Sequence, residues 1–217
     1  LIFLSENLGT NSLSSFKSLK DSLREIDNLN TINRIGIEDA FLIKPNELAK
    51  QIATLSDHLK INRFAILDTY GHISPKEIFK YSKEMDSLLD SEIDLEFHLH
   101  NDHGLSAANF YALAISNIFH RPTYFSTSLG GIGERNGILS IGTALSILYK
   151  LNKKSLMRKY NIRKYQQLVN NINSDDHMIF SSDPLSPNSF FHVADSHLEN
   201  LTRGEKRFNI INPEDFG

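Results

Sequence analysis

The chain contains no cysteine, which excludes both a disulfide framework and a thiolate-bound zinc centre. It has no apolar run approaching the roughly 20 residues that span a bilayer. Basic residues are not in excess either. Lys and Arg number 23 against 26 Asp and Glu, a net charge of −3, the wrong sign for a general nucleic-acid surface. The rest is ordinary for a globular protein, with 40% hydrophobic and 23% charged residues over 217 positions, enough to bury a sizeable core. The expectation is a soluble, intracellular protein with neither a nucleic-acid nor a membrane partner. Leu1 lies inside an apolar run and is not a methionine, as expected for a segment of a longer protein with any targeting peptide upstream.

Strand-like runs recur at intervals of about thirty residues, the length of a strand plus its return helix in a β/α barrel. They fall near Leu1–Leu4, Arg34–Ile37, Arg63–Leu67, Ile93–His98 and Tyr124–Thr127. Helices are predicted between them at Leu13–Ile26, Pro45–Leu59, Pro75–Leu89 and Ser106–Ile118, with Pro45 suited to a first turn. The predicted fold class is α/β, a partial TIM (β/α)8 barrel of about five units, followed by a small helical subdomain. An open half-barrel leaves sheet edges unpaired, so the other units are expected from elsewhere. The barrel part is expected over 1–152, ending in a helix at Ile141–Leu151, and the linker and subdomain over 153–217. Lys153, Lys154, Arg158 and Lys159 read as a solvated helix face. Tyr165–Ile172 reads as a helix, and Ser181–Ser189, rich in Ser, Pro and Asn, as a loop.

The densest chemistry lies between Leu95 and Ile138. Side chains two apart on a strand share a face, so His98 and His100 can grip one cation from a rigid support, with Glu96 on the same face. A bare His-x-His is more often just the polar face of an alternating strand. The residues downstream of the pair shift the balance. Asn101, Asp102 and Gly104 lead into the helix-spaced run Ala107, Ala108, Tyr111, Ala112, Ala114 and Ile115, and after the next strand comes the glycine-rich loop GGIGERNG. That loop is not a dinucleotide fingerprint, because Asn136 stands where a third glycine is needed. Asn101 and Asp102 are expected to orient the imidazoles or cap the helix, and Glu134 with Arg135 to form an ion pair pinning the loop. His58, His72, His103, His120 and His177 belong to no constellation, and the Asp175–His177 cluster reads as a loop.

Together the segments HLHND (His98–Asp102) and GIGERNGI (Gly131–Ile138) resemble the pyruvate carboxyltransferase-like family of isopropylmalate, citramalate and homocitrate synthases and hydroxymethylglutaryl-CoA lyase. LDTYG (Leu67–Gly71), IED (Ile37–Asp39), FHVADSH (Phe191–His197) and IINPEDFG (Ile210–Gly217) extend the likeness over nearly the whole chain, and GIGERNGI is closest in form to homocitrate synthases of the fungal type. The resemblance implies that the strands present are the fourth to the eighth of the barrel. It also implies a metal-dependent Claisen-type condensation of acetyl-CoA with 2-oxoglutarate. His98 and His100 would be metal ligands, with zinc favoured and magnesium or manganese also suited. A further acidic ligand would lie on the first barrel strand, outside this sequence. Glu96 would sit beside metal and substrate, unless a neighbouring Arg simply satisfies it at the barrel mouth. Thr69 would hold the substrate carboxylate, although strand-end turns also use Asp and Thr locally. His197, five residues after His192, would be the catalytic base or proton shuttle, delivered to the neighbouring subunit of a homodimer.

Several positions depart from the family pattern. Val193 replaces a usual Lys and Asp195 a usual Gly. Phe208 stands where the synthases place a proton-transferring tyrosine, and a phenyl ring neither donates nor accepts a proton. Leu42 lies near the place of an expected Arg, and Ser126 stands where Asp is common. Two further readings therefore accompany the first: a catalytically impaired paralogue acting as a binding or regulatory subunit, and a sister synthase acting on another 2-oxoacid.

Overall fold

The computed structural model describes residues 2–4, 21, 34–116, 119–175 and 202–203. It divides into two compact units, one of residues 1–127 with 133–139, the other of 128–132 with 140–217. The expected helix at Leu13–Ile26 lies outside the described residues, apart from Asp21.

The first unit is a five-stranded sheet of β1 (Ile2–Leu4), β2 (Ile35–Ile37), β3 (Arg63–Asp68), β4 (Asp94–Leu99) and β5 (Thr123–Ser126). Spatial order follows chain order, and every pairing is parallel. That singly wound order belongs to a barrel wall, since a doubly wound sheet reverses direction at a switch point. The fold is therefore a partial TIM barrel of five strands out of eight.

Among the described residues, three helices return the chain between strands: α1 (Pro45–Leu59), α2 (Pro75–Leu88) and α3 (Ser106–Ser116). Both α1 and α2 start on a proline, whose missing N–H costs nothing in the first turn. At α2 the Ser74 hydroxyl oxygen accepts from Glu77 N–H and the Glu77 carboxylate accepts from Ser74 N–H, a capping box. Leu48, Ile52 and Leu55 make the buried stripe of α1, and Ile78, Ser82 and Met85 that of α2.

Register assigns the two faces of the sheet. Paired residues of parallel strands point the same way, so Phe64, Leu95, Phe97, Leu99 and Phe125 form one face. Phe125 packs edge-on against Phe110 of α3 at 4.7 Å and stacks on Phe97 at 5.7 Å, which makes this the helix-covered core. Ala65, Leu67, Glu96, His98, Tyr124 and Ser126 occupy the opposite face, which in a barrel is the interior. The polar residues of β4 are thus confined to the inner face by the period of two.

The amino-terminal edge of this wall is closed by Arg121. Its buried guanidinium donates to Asp86 Oδ1 at 2.8 Å and to the carbonyls of Asp86 (2.8 Å), Leu89 (3.1 Å), Ile93 (2.9 Å) and Asp90. One side chain thereby satisfies the last carbonyls of α2 and the turn into β4. Burial opposes ionisation of Asp86, but the bonds from His120 and Arg121 outweigh it and hold the carboxyl below its ordinary range.

In the second unit, α4 (Ile141–Lys159) and α5 (Ile162–Asp175) bury Leu145, Leu156 and Ile162 together, with Ile141, Leu148, Tyr149 and Tyr165 against them. The helix expected to end at Leu151 runs eight residues further. It is interrupted at Asn152, whose backbone leaves the helical region (φ −157°, ψ 77°) and whose Oδ1 caps Ser155 N–H at 3.0 Å. Lys153, Lys154, Arg158 and Lys159 are exposed, as a solvated face requires. Helix α5 extends beyond the expected Tyr165–Ile172 at both ends. Among the described residues no helix is long and apolar enough to cross a membrane.

Candidate metal and substrate site at the carboxyl ends of the strands

The carboxyl ends of β2, β3 and β4 meet the GERNG loop, the end of a barrel where side chains converge for chemistry. His98 projects from β4, and His100 follows one residue after the strand ends. Their rings lie 5.0 Å apart between centroids at 60°. Burial, reinforced by the neighbouring His100, pushes His98 down to about 4. Burial and then the Arg135 charge lower His100 as well. Both imidazoles are therefore neutral at neutral pH, the form in which a ring nitrogen offers a lone pair to a metal. His100 Nδ1 is buried with no hydrogen-bond partner, an arrangement that costs free energy unless a ligand or ion completes it. Two donors thus fit a divalent cation. A third does not join them here, since no group of three or more His, Asp or Glu with metal-binding geometry occurs among the described residues.

Glu96 is almost fully buried at 2% exposure. Its Oε1 accepts from Arg34 Nη1 and from the Ser126 hydroxyl at 2.5 Å. The carboxylate is thus satisfied by a neighbouring arginine, while the Arg34 side chain remains 38% exposed. Ser126, in the place where Asp is common, makes this pairing feasible, because a second carboxylate there would repel Glu96.

Thr69 follows β3 and is used twice. Its Oγ1 accepts from Asp39 N–H at 2.8 Å, and its carbonyl accepts from Arg135 Nη2 at 2.5 Å. Asp39 presents that amide from a left-handed conformation (φ 53°), and its own Oδ1 is buried without a partner. Asp68, one residue earlier than Thr69, is buried with Oδ2 unpartnered, and burial raises its pKa.

Asn101 caps α3, its Oδ1 accepting from Ser106 N–H (3.3 Å) and the Ser106 hydroxyl (2.7 Å). Arg135 reaches Glu134 only at 4.0 Å, while Asp102 takes it in a fork at 2.7 and 2.9 Å. The ion pair that holds the loop is therefore with Asp102. His103 is exposed, and His120 pairs with Asp86 at 2.6 Å at the opposite end of the sheet. The structure thus gathers His98, His100 and Thr69 at the carboxyl end of the wall, with Glu96 on the same inner face lower in β4. His197, with His192, Val193, Asp195 and Phe208, lies outside the described residues. Arg34, Ser126 and Asp39 join the site; Asp39 belongs to the IED segment and Ser126 to the positions that depart from the family pattern, whereas no motif marks Arg34. For Arg34 the only signal is position, at the start of a predicted strand.

A parallel β/α wall carrying a paired-histidine rim defines the class of barrel enzymes to which these features point. The chain belongs to the HMGL-like family, whose model matches residues 1–169. It is 28% identical over 204 residues to the mitochondrial homocitrate synthase of Schizosaccharomyces pombe, covering 91% of this chain and 47% of that protein. It is 26% identical to the cytosolic homocitrate synthase isozyme of Saccharomyces cerevisiae, covering 85% of this chain and 42% of that protein. The chain thus spans less than half the length of these curated relatives. The crystal structure of hydroxymethylglutaryl-CoA lyase from Pseudomonas aeruginosa shares the fold with a TM-score of 0.56 at 17% identity, over 78% of this chain and 61% of that one.

Proposed function

We propose that the protein of which this chain is a part is a homocitrate synthase-like acyltransferase, condensing acetyl-CoA with 2-oxoglutarate in lysine biosynthesis by the aminoadipate route. The observation that carries the reading is the pair His98 and His100, neutral and adjacent on the rim, in a chain similar to homocitrate synthases over most of its length. In the reaction a methyl proton leaves the thioester, the resulting carbanion equivalent attacks the keto carbon, the alkoxide so formed takes up a proton, and water then hydrolyses the thioester to release the CoA thiol. His98 and His100 would hold a divalent cation, zinc by preference, which when bound supplies Lewis acidity toward the keto oxygen.

This chain's own residues then orient the substrate. Because Thr69 Oγ1 already accepts from Asp39 N–H, its hydroxyl proton is free to donate to a substrate carboxylate. Glu96 holds Arg34 on the inner face of the wall, below the histidine rim, and the exposed remainder of the guanidinium suits the second carboxylate of a dicarboxylic oxoacid. That preference favours 2-oxoglutarate over a monocarboxylate. Glu96 keeps a place beside the reacting atoms as a buried negative charge. We assign His197 the proton transfer at the methyl carbon, supplied across a homodimer by the segment 153–217. The setting proposed is soluble and intracellular, in keeping with the mitochondrial and cytosolic relatives.

The test is acetyl-CoA consumption by the full-length protein. Thiol release is expected only when 2-oxoglutarate and a divalent cation are both present. Absence of turnover in a verified, metal-loaded dimer refutes the proposal, and preferential use of pyruvate or 2-oxoisovalerate reassigns the protein to a sister synthase. A second reading, an impaired paralogue serving as a binding or regulatory subunit, is favoured by Val193, Asp195 and Phe208. A large gain in rate on Phe208→Tyr would mark a weakened enzyme instead.

A further inference from the structure

Beyond its loop-holding pair with Asp102, Arg135 has a geometry unusual for an exposed arginine. It is one of three non-glycine residues with positive φ among those described (φ 54°), a conformation that costs free energy and persists where the surroundings impose it. Three of its N–H groups are committed, Nε to Asp102 Oδ1 at 2.7 Å, Nη2 to Asp102 Oδ2 at 2.9 Å and Nη2 again to the Thr69 carbonyl at 2.5 Å. One guanidinium therefore bridges the turn after β3 and the turn after β4. The neighbouring loop residues reach the turn after β4 as well. Asn136 Nδ2 donates to the Asn101 carbonyl at 3.0 Å, Asn101 N–H to the Gly137 carbonyl at 2.9 Å, and Leu139 N–H to the Leu99 carbonyl at 3.1 Å.

The two turns are also in hard contact. A Cβ at Gly71 (φ +62°) would lie 2.8 Å from Asp102 N and 2.9 Å from the His100 carbonyl, closer than real Cβ contacts. Thr69 and His100 are thus brought together by a glycine that permits the approach and an arginine that holds it.

We propose that Arg135, through its fork on Asp102 and its bond to the Thr69 carbonyl, is a positioning residue that sets the distance between the histidine pair and the Thr69 hydroxyl. The inference rests on the reading that His98 and His100 hold a divalent cation. Exposed ion pairs contribute little to global stability, so the effect of Arg135 is expected in the geometry of the rim. Lysine keeps the charge but cannot reproduce three directed N–H bonds. Arg135→Lys therefore separates directed positioning from simple charge compensation.

The experiment measures zinc affinity by chelator competition, and histidine-ring NMR signals of the metal-free protein, for full-length wild type, Arg135→Lys, Asp102→Asn and His100→Ala. Arg135→Lys and Asp102→Asn should each weaken zinc by about tenfold or more, as removal of supporting partners around metal ligands does, with the thermal midpoint unchanged. Unchanged zinc affinity in Arg135→Lys, beside a clear loss in His100→Ala, overturns the proposal. If wild type and His100→Ala bind zinc alike, the metal reading fails, and the ring signals decide separately. Displacement of the His100 signals but not those of His120 in metal-free Arg135→Lys upholds the clamp, and unmoved His100 signals reject it.

Discussion

Arg121 and Arg135 stand at opposite ends of the same sheet and bind in opposite ways. The Arg121 side chain is 4% exposed and spends its donors on one carboxylate and four carbonyls. Arg135 is 44% exposed, and the buried polar atoms near it are left open: Asp39 Oδ1, Asp68 Oδ2 and His100 Nδ1 have no partner. The Arg121 cluster is saturated while three acceptors around Arg135 are not, although Arg63 Nε at the amino-terminal start of β3 is also buried without a partner; in a β/α barrel the amino-terminal face carries stability and the carboxyl-terminal face carries chemistry. Charge pairing by itself therefore does not mark a site.

The contrast is most vulnerable at its stable end. Arg121→Ala leaves the buried Asp86 carboxylate with His120 as its remaining partner, and loss of the charged partner of such a pair costs about 3 to 5 kcal/mol. Denaturant unfolding should show a loss of that size, while the His98 and His100 ring signals stay in place. A loss below about 1 kcal/mol would place Arg121 among ordinary surface pairs.

At the other end, pH is the finer probe. His98 titrates at about 4 in the folded protein, below the unfolded value near 6.5, so the unfolded chain binds more protons between these limits. Its contribution is fully present above pH ~6.5 and is lost as pH falls towards 4. The thermal midpoint of metal-free wild type should therefore drop across this window more steeply than that of His98→Gln, and parallel slopes would refute the buried, neutral ring. A milder change is expected behind the rim, where the Tyr81 hydroxyl reaches the Ala40 and Ile43 carbonyls at 2.7 and 2.9 Å. Burial raises its pKa, so it acts as a neutral donor. Tyr81→Phe should cost about 1 to 2 kcal/mol without moving zinc affinity.

Much of the wall is legible in the sequence because its signals are local. The period of two in LEFHLH places Glu96, His98 and His100 on one face before any partner is known, and the prolines at Pro45 and Pro75 start both helices where expected. What the sequence conceals depends on contacts between distant residues. Arg34 meets Glu96 across 62 residues, and Arg135 chooses Asp102, 33 residues away, over the adjacent Glu134. Adjacent residues on a loop diverge when the backbone turns left-handed between them, as it does at Arg135. The continuation of α4 past Leu151 is hidden for a related reason. A lysine-rich stretch carries little apolar pattern, and Leu156 alone anchors it in the core. His197 lies outside the described residues, and its role rests on resemblance.

The functional reading depends on His98 and His100 together holding one divalent cation. Metal content and zinc affinity of the full-length protein, set beside His98→Ala and His100→Ala, probe that pairing without intermediaries. Wild type should carry one bound cation per chain, lost in both variants with the fold intact by circular dichroism. Equal metal content in wild type and in both variants would contradict it.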